Sequence, residues 1–256
     1  MIAFLLSRLE RAMLYHPTPL YGETPARFEV HFETITLTTG DGETLGGWWL
    51  PRPEPEAPRL VFFHGNAGTR EQRIHNLAGL WRAGISVLIF DYRGYGDSTG
   101  RPSEAGLISD GLTAFDWLAS RGQGPIALFG RSLGGAVAAQ VARRRPVAAL
   151  VLESTFTSVP DMASKVLPFP GIRWLVHTRL NTLEAVKELE KPLLIIHGQS
   201  DELIPFVMGQ TLYNGSISPQ KQFFPVPNGQ HNDTYLVAGE KYFQTLSGFL
   251  HNLPSR

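Results

Sequence analysis

Apolar and polar positions change rhythm once along this chain. Glu33-Thr34-Ile35-Thr36-Leu37-Thr38 alternates polar and apolar, the period of a strand with one wet face. Gly40-Asp41-Gly42 is a turn signal, and Leu45 to Leu50 returns as a second strand, so a hairpin is predicted. Pro51-Arg52-Pro53-Glu54-Pro55 follows as a stiff exposed loop, because proline cannot continue a ladder. Beyond it the alternation stops. Leu60 to Phe63, Val87 to Phe90, Ile126 to Phe129, Leu150 to Leu152 and Leu193 to Ile196 are solidly apolar, as strands buried on both faces are. Ser103 to Ser120 and Leu133 to Arg143 read as helices between them, with Phe223 to Val226 as last strand and Thr234 to Leu250 as last helix. The series predicts an α/β fold: one domain over residues 1–256, its mostly parallel central sheet covered by helices on both faces. Residues 154–182 break the rhythm with Pro160, Pro168 and Pro170. They read as a small helical cap inserted after the sixth strand, over the strand ends where open α/β sheets bind ligands.

Charge narrows the partners. Lys plus Arg number 23 and Asp plus Glu 23, so no polyanion is implied and nucleic acid is not an expected partner. Arg143, Arg144 and Arg145 form the densest basic run and read as cations complementing a helix end. The absence of cysteine excludes disulfides, thiolate metal sites and a cysteine nucleophile, and it fits a reducing, cytoplasmic setting. No run approaches the roughly 18 apolar residues that span a bilayer. Ile2, Leu5, Leu6, Leu9 and Met13 recur at helical spacing, with no basic leader or cleavage site of a signal peptide. Residues 1–14 therefore suit a helix docked on the protein surface, with a weak peripheral membrane contact as the other reading.

The chemistry concentrates at Gly130-Arg131-Ser132-Leu133-Gly134-Gly135, between an apolar strand and a small-residue helix. That is a G-x-S-x-G nucleophile elbow in its strand–turn–helix setting, which presents a serine hydroxyl at a helix N-terminus. A serine needs a base, and in this arrangement the partners follow in the order Ser, Asp or Glu, His. Asp201 lies just past the strand ending near Ile196, and His231 lies in the loop after the last strand. Ser132, Asp201 and His231 are the expected catalytic residues. Glu153, also at a strand end, is the second candidate for the acid; Asp233 reads as the start of the last helix. His64 and His197 close apolar strands and read as structural. For the oxyanion, the elbow offers the backbone N–H of Leu133, and the loop His64-Gly65-Asn66-Ala67-Gly68 offers that of Asn66. No cofactor or metal is needed.

Phe63-His64-Gly65-Asn66-Ala67-Gly68, Asp91-Tyr92-Arg93-Gly94-Tyr95-Gly96, the elbow, and His231-Asn232-Asp233-Thr234 together resemble the ABHD-type alpha/beta hydrolases. The likeness is nearest to the branch of the thirteenth ABHD member and its fungal and bacterial relatives, and it runs from about Tyr15 to Phe249. It implies the alpha/beta-hydrolase fold and a triad of Ser132, Asp201 and His231. It further implies that the Asp91–Gly96 loop is structural, shaping the site beside the oxyanion loop. Eukaryotic members of that group carry a membrane anchor ahead of the matching region, where this chain has about fourteen residues.

The expected reaction is hydrolysis of a carboxylic ester or thioester on a small-molecule or acylated substrate, through an acyl-enzyme. An imidazole base implies activity rising with pH through the histidine range, ordinarily about 6.5. Phe156, Leu167, Phe169 and Trp174 either line the acyl pocket or form the insertion's own core; a small cap favours short or medium acyl groups. Two further readings are a peptidase or amidase, for which the extra propeller domain of many such enzymes has no room, and a non-catalytic binding module. The latter predicts a broken triad, and none of the three positions is missing. A haloalkane or epoxide enzyme would want aspartate at position 132.

Overall fold

The computed structural model describes residues 10–122, 124–167 and 169–253. Eight strands form one sheet: β1 (Glu33–Thr38), β2 (Thr44–Leu50), β3 (Arg59–Phe63), β4 (Ser86–Phe90), β5 (Ile126–Arg131), β6 (Ala149–Glu153), β7 (Leu193–Gly198) and β8 (Lys221–Val226). Their order is β1-β2-β4-β3-β5-β6-β7-β8. β1 and β2 form the expected antiparallel hairpin, β2 also lies antiparallel to β4, and every other pairing is parallel.

The solidly apolar strands are solid because both faces are covered. Val61, Phe63, Leu128, Leu150 and Ile195 point into one core, with helices α2 (Glu104–Ser120), α3 (Leu133–Ala142), α6 (Thr182–Lys187) and α7 (Phe206–Gly215). The residues between them in sequence, such as Leu60, Phe62, Phe129, Val151 and Ile196, point into a second core against α1 (Ile74–Arg82) and α9 (Glu240–His251). Between β6 and β7, before α6, the insertion carries the short helices α4 (Val159–Val166) and α5 (Ile172–Leu175).

The expected last helix is divided. Its first turn is α8 (Thr234–Val237), and α9 starts anew after Gly239, which has φ +55 and ψ −134, outside the right-handed helical region. The expectation for Ile2, Leu5, Leu6 and Leu9 falls outside the described residues; residues 10–14, which include Met13, are helical. No helix among the described residues is long and apolar enough to cross a membrane.

The topology sets the site. From β3 the chain moves to β4 on one side and then crosses back to β5 on the other. The connections after β3 and β5 therefore diverge, leaving a crevice at their C-terminal ends.

Candidate active site

β5 ends at Arg131 and α3 begins at Leu133, so Ser132 alone turns the chain. It does so at φ +54 and ψ −122, a strained conformation for a residue with a side chain. Its N–H donates to the carbonyl of Glu153 (2.9 Å), and its carbonyl accepts from the N–H of Gly135 (3.0 Å). The turn leaves no space around it. A Cβ on Gly134 would meet the carbonyl oxygens of Phe63 and His64, and one on Gly130 would meet the backbone of Gly134 and Gly135.

Asp201 and His231 arrive on two loops that are laced together. After β7, the N–H groups of Gln199 and Ser200 donate to the carbonyls of Val226 and Gly229, both at 2.9 Å, in the segment that carries His231. The Asp201 side chain is fully buried. Its Oδ1 accepts from the N–H groups of Leu203 (3.0 Å) and Ile204 (2.8 Å), and its Oδ2 lies 2.9 Å from His231 Nδ1. Burial raises this carboxyl, but the contacts of His197 and His231 and the Ile204 N–H outweigh burial and hold it well below the usual carboxylate range. An ionised carboxylate can only accept, so His231 donates through Nδ1 and presents the Nε2 lone pair. Ser132 Oγ stands 3.1 Å from that nitrogen. A serine hydroxyl hydrogen-bonded to an oriented imidazole is the arrangement that can activate a nucleophile.

The remaining acid and histidine candidates have other partners. Glu153 is buried and accepts from the hydroxyls of Thr234 and Tyr242. Asp233 precedes α8 and accepts the Gln230 N–H through Oδ1 (2.6 Å). His197 Nε2 donates to the Ile204 carbonyl (2.9 Å), bracing the loop that carries Asp201.

The loop after β3 passes over the serine, since a Cβ on Gly65 would stand 3.6 Å from that of Ser132. Burial, with the charge of Arg73 adding to it, pushes the His64 imidazole down to about 3, so it is neutral. Its Nδ1 donates to the Gly65 carbonyl (2.8 Å). In a trans peptide the N–H of Asn66 then points the opposite way. Tyr95 Oη donates to the Asn66 carbonyl (2.9 Å) and Tyr92 Oη to the His64 carbonyl (3.1 Å), so the Asp91–Gly96 loop props this one. The Leu133 N–H sits at the first position of α3, where the helix supplies no acceptor.

Of the four apolar candidates, Phe156 is buried in the core that packs α2 and α3. Leu167, Phe169 and Trp174 are exposed, Trp174 by 85%.

One participant was not singled out from sequence. Arg131, the variable residue of the elbow, is almost fully buried, and its Nη2 donates to the main-chain carbonyl of His231 (3.0 Å). It couples the turn that holds Ser132 to the loop that holds His231. Arg131→Met should lower kcat by about 10- to 100-fold with KM little changed, as expected for a displacement of under about an ångström. Steady-state kinetics beside a thermal melt will separate this from global unfolding, and unchanged kcat would deny the coupling.

Residues 54–185 match the family described as Serine aminopeptidase, S33. The chain belongs to that alpha/beta-hydrolase family. Among relatives of this S33 chain, protein bem46 of Schizosaccharomyces pombe is 37% identical over 238 residues, covering 89% of this chain and 79% of bem46. The lysophosphatidylserine lipase ABHD12 of Rattus norvegicus is 37% identical over 198 residues, covering 69% of this chain and 49% of its own. Among solved structures, the Pyrococcus furiosus esterase Pf2001 superposes with a TM-score of 0.81 at 21% identity, over 94% of this chain and 99% of that one. The likeness to ABHD-type hydrolases therefore holds, and this S33 chain is a serine hydrolase of the alpha/beta-hydrolase fold.

Proposed function

We propose that the protein hydrolyses carboxylic esters or thioesters through an acyl-enzyme. The reading rests on one observation, the continuous line from Asp201 Oδ2 to His231 Nδ1 (2.9 Å) and from His231 Nε2 to Ser132 Oγ (3.1 Å). Ser132 Oγ bonds to the substrate carbonyl carbon as its proton passes to His231 Nε2. The carbonyl oxygen takes the negative charge, held by the N–H groups of Leu133 and Asn66. Collapse breaks the bond to the alcohol or thiol, which leaves with the proton from His231. Water then repeats the sequence, releasing the acid and restoring Ser132. Asp201 stays ionised throughout and fixes the imidazole tautomer.

The relative ABHD12 is a lysophosphatidylserine lipase, which points the substrate class toward single-chain acyl lipids. Without cysteine the chain suits a reducing compartment, and we place its activity in the cytoplasm. Hydrolysis of p-nitrophenyl esters over a series of acyl lengths tests the reading. The expected result is turnover with a preferred chain length. Its contrary is no turnover of any ester at any pH between about 5 and 9.

Peptide hydrolysis is the second reading, favoured by the family's description as serine aminopeptidases. Aminoacyl p-nitroanilides in the same assay decide between them: cleavage of these alone would replace the ester reading.

A further inference from the structure

We propose that Glu153 is a positioning residue for the hydrolysis, holding nucleophile and base in register with each other through its main chain and its carboxyl. The role rests on the ester-hydrolase reading of Ser132 and His231.

β6 ends at Glu153, in line with Ala149 and Val151, which face the second core. A carboxyl is costly in such a place unless its oxygens are bonded, and here both are. Oε1 accepts from the Thr234 hydroxyl and Oε2 from the Tyr242 hydroxyl (3.1 Å), and all three residues are fully buried. Burial, with the nearby Glu153 adding to it, pushes the Tyr242 phenol well above its ordinary range, so the hydroxyl keeps its proton and donates. The same residue reaches the nucleophile through its main chain. Its carbonyl accepts the N–H of Ser132 (2.9 Å), the residue that turns the elbow at φ +54.

The base is held on both flanks. Upstream of His231, the carbonyls of Val226 and Gly229 take the N–H groups of Gln199 and Ser200. Downstream, among the described residues, two hydrogen bonds besides those of the imidazole tie residues 231–237 to the sheet. They run from Arg131 Nη2 to the His231 carbonyl (3.0 Å) and from the Thr234 hydroxyl to Glu153. Arg131 and Glu153 stand opposite each other in the register of β5 and β6. The N–H groups of Leu236 and Val237 bond within the stretch, both to the Asp233 carbonyl at 2.8 Å. Loss of the Thr234 anchor would therefore let the start of α8 shift, and with it the 3.1 Å between His231 Nε2 and Ser132 Oγ. Tyr242 is the contrast. It comes from α9, and its oxygen accepts from Asn76 Nδ2 of α1 (3.3 Å), so its bond braces the helix layer and leads to no catalytic side chain.

The test compares Thr234→Val, Thr234→Ser and Tyr242→Phe in the full chain. Each is read by hydrolysis of p-nitrophenyl acetate, by the rate of fluorophosphonate labelling of Ser132, and by a thermal melt. Thr234→Val keeps the shape and loses the hydroxyl, so kcat and the labelling rate should fall about tenfold with KM little changed. Thr234→Ser restores the hydroxyl and should recover most of that loss. Tyr242→Phe should lower the melting temperature and leave both rates within about twofold of the parent. Glu153→Leu should match Thr234→Val in rate, and the double variant should be no slower, because hydroxyl and carboxyl make one contact. If Glu153→Leu does not fold, the hydroxyl variants decide alone. Parental rates in Thr234→Val overturn the proposal. So does an equal loss of rate in Tyr242→Phe, which would make Glu153 a prop of the core and nothing more. A parent that labels but turns over no ester would sink the ester reading, and the labelling rates would still decide the role of Glu153. A parent that does neither sinks both.

Discussion

Replacing Ser132 by alanine is expected to lower kcat on p-nitrophenyl esters by about 10⁴–10⁶ while the chain remains folded. The side chain is small, and the contacts that hold the turn are main-chain: the N–H to Glu153 and the carbonyl to the Gly135 N–H. What the variant loses is the Oγ at 3.1 Å from His231 Nε2. The residual rate will come from the oxyanion donors and substrate positioning, which do not depend on the hydroxyl. His231→Ala should cost a similar factor, and the double variant little more than either single one, because nucleophile and base act as a unit. Independent, additive losses would mean that the two residues do not serve one step.

Gly134→Ala is expected to be as damaging by a different route. Its Cβ would enter the space of the Phe63 and His64 carbonyl oxygens, which belong to the strand and loop that carry the Asn66 N–H. Neither backbone can withdraw without shifting the sheet or the oxyanion loop. A destabilisation of at least about 3 kcal/mol is predicted, with activity lost in whatever fraction folds. Gly248→Ala is the matched control. It lies in the exposed face of α9, where an added Cβ meets nothing within 4 Å. It should stabilise by about 0.5–1 kcal/mol, since alanine has less backbone freedom to lose in a helix. Denaturant unfolding of both variants reads the difference, and similar effects at both positions would contradict the packing account.

What the sequence made legible follows from how local each signal is. Strands β3 to β7 announce themselves because burial on both faces demands an unbroken apolar run. The elbow does so because only glycine fits at positions 130 and 134, against backbone atoms. The order of Ser132, Asp201 and His231 along the chain is likewise readable, and the fold brings those three side chains into one line. The division of the last helix was missed because Tyr235, Leu236 and Val237 continue an apolar pattern across Gly239. A single glycine can be tolerated in a helix or can end it, and only its φ of +55 decides. The entry to α1 carried an unused signal. Thr69 and Gln72 form a capping box, the Gln72 side chain accepting the Thr69 N–H.

Long-range polar contacts were not legible. Nothing in the sequence pairs the Arg131 guanidinium with a carbonyl 100 residues away, or the Tyr95 hydroxyl with the Asn66 carbonyl. Such contacts depend on how loops from different strands meet, which periodicity does not encode. The insertion is the other case. Its aromatic residues suggested either a pocket or a core of their own, yet Phe169 and Trp174 are open to solvent. An apolar side chain does not itself record whether it packs on its own chain, meets a ligand or stays open to solvent.

The most direct test of the account is the intact mass of the protein after exposure to a fluorophosphonate, which is attacked by an activated serine as an ester carbonyl is. The predicted result is one added phosphonyl group, mapped to Ser132 by peptide digestion, with no addition in Ser132→Ala and sharply slowed addition in His231→Ala. No modification of the native chain, or modification that persists in Ser132→Ala, would contradict Ser132 as the nucleophile.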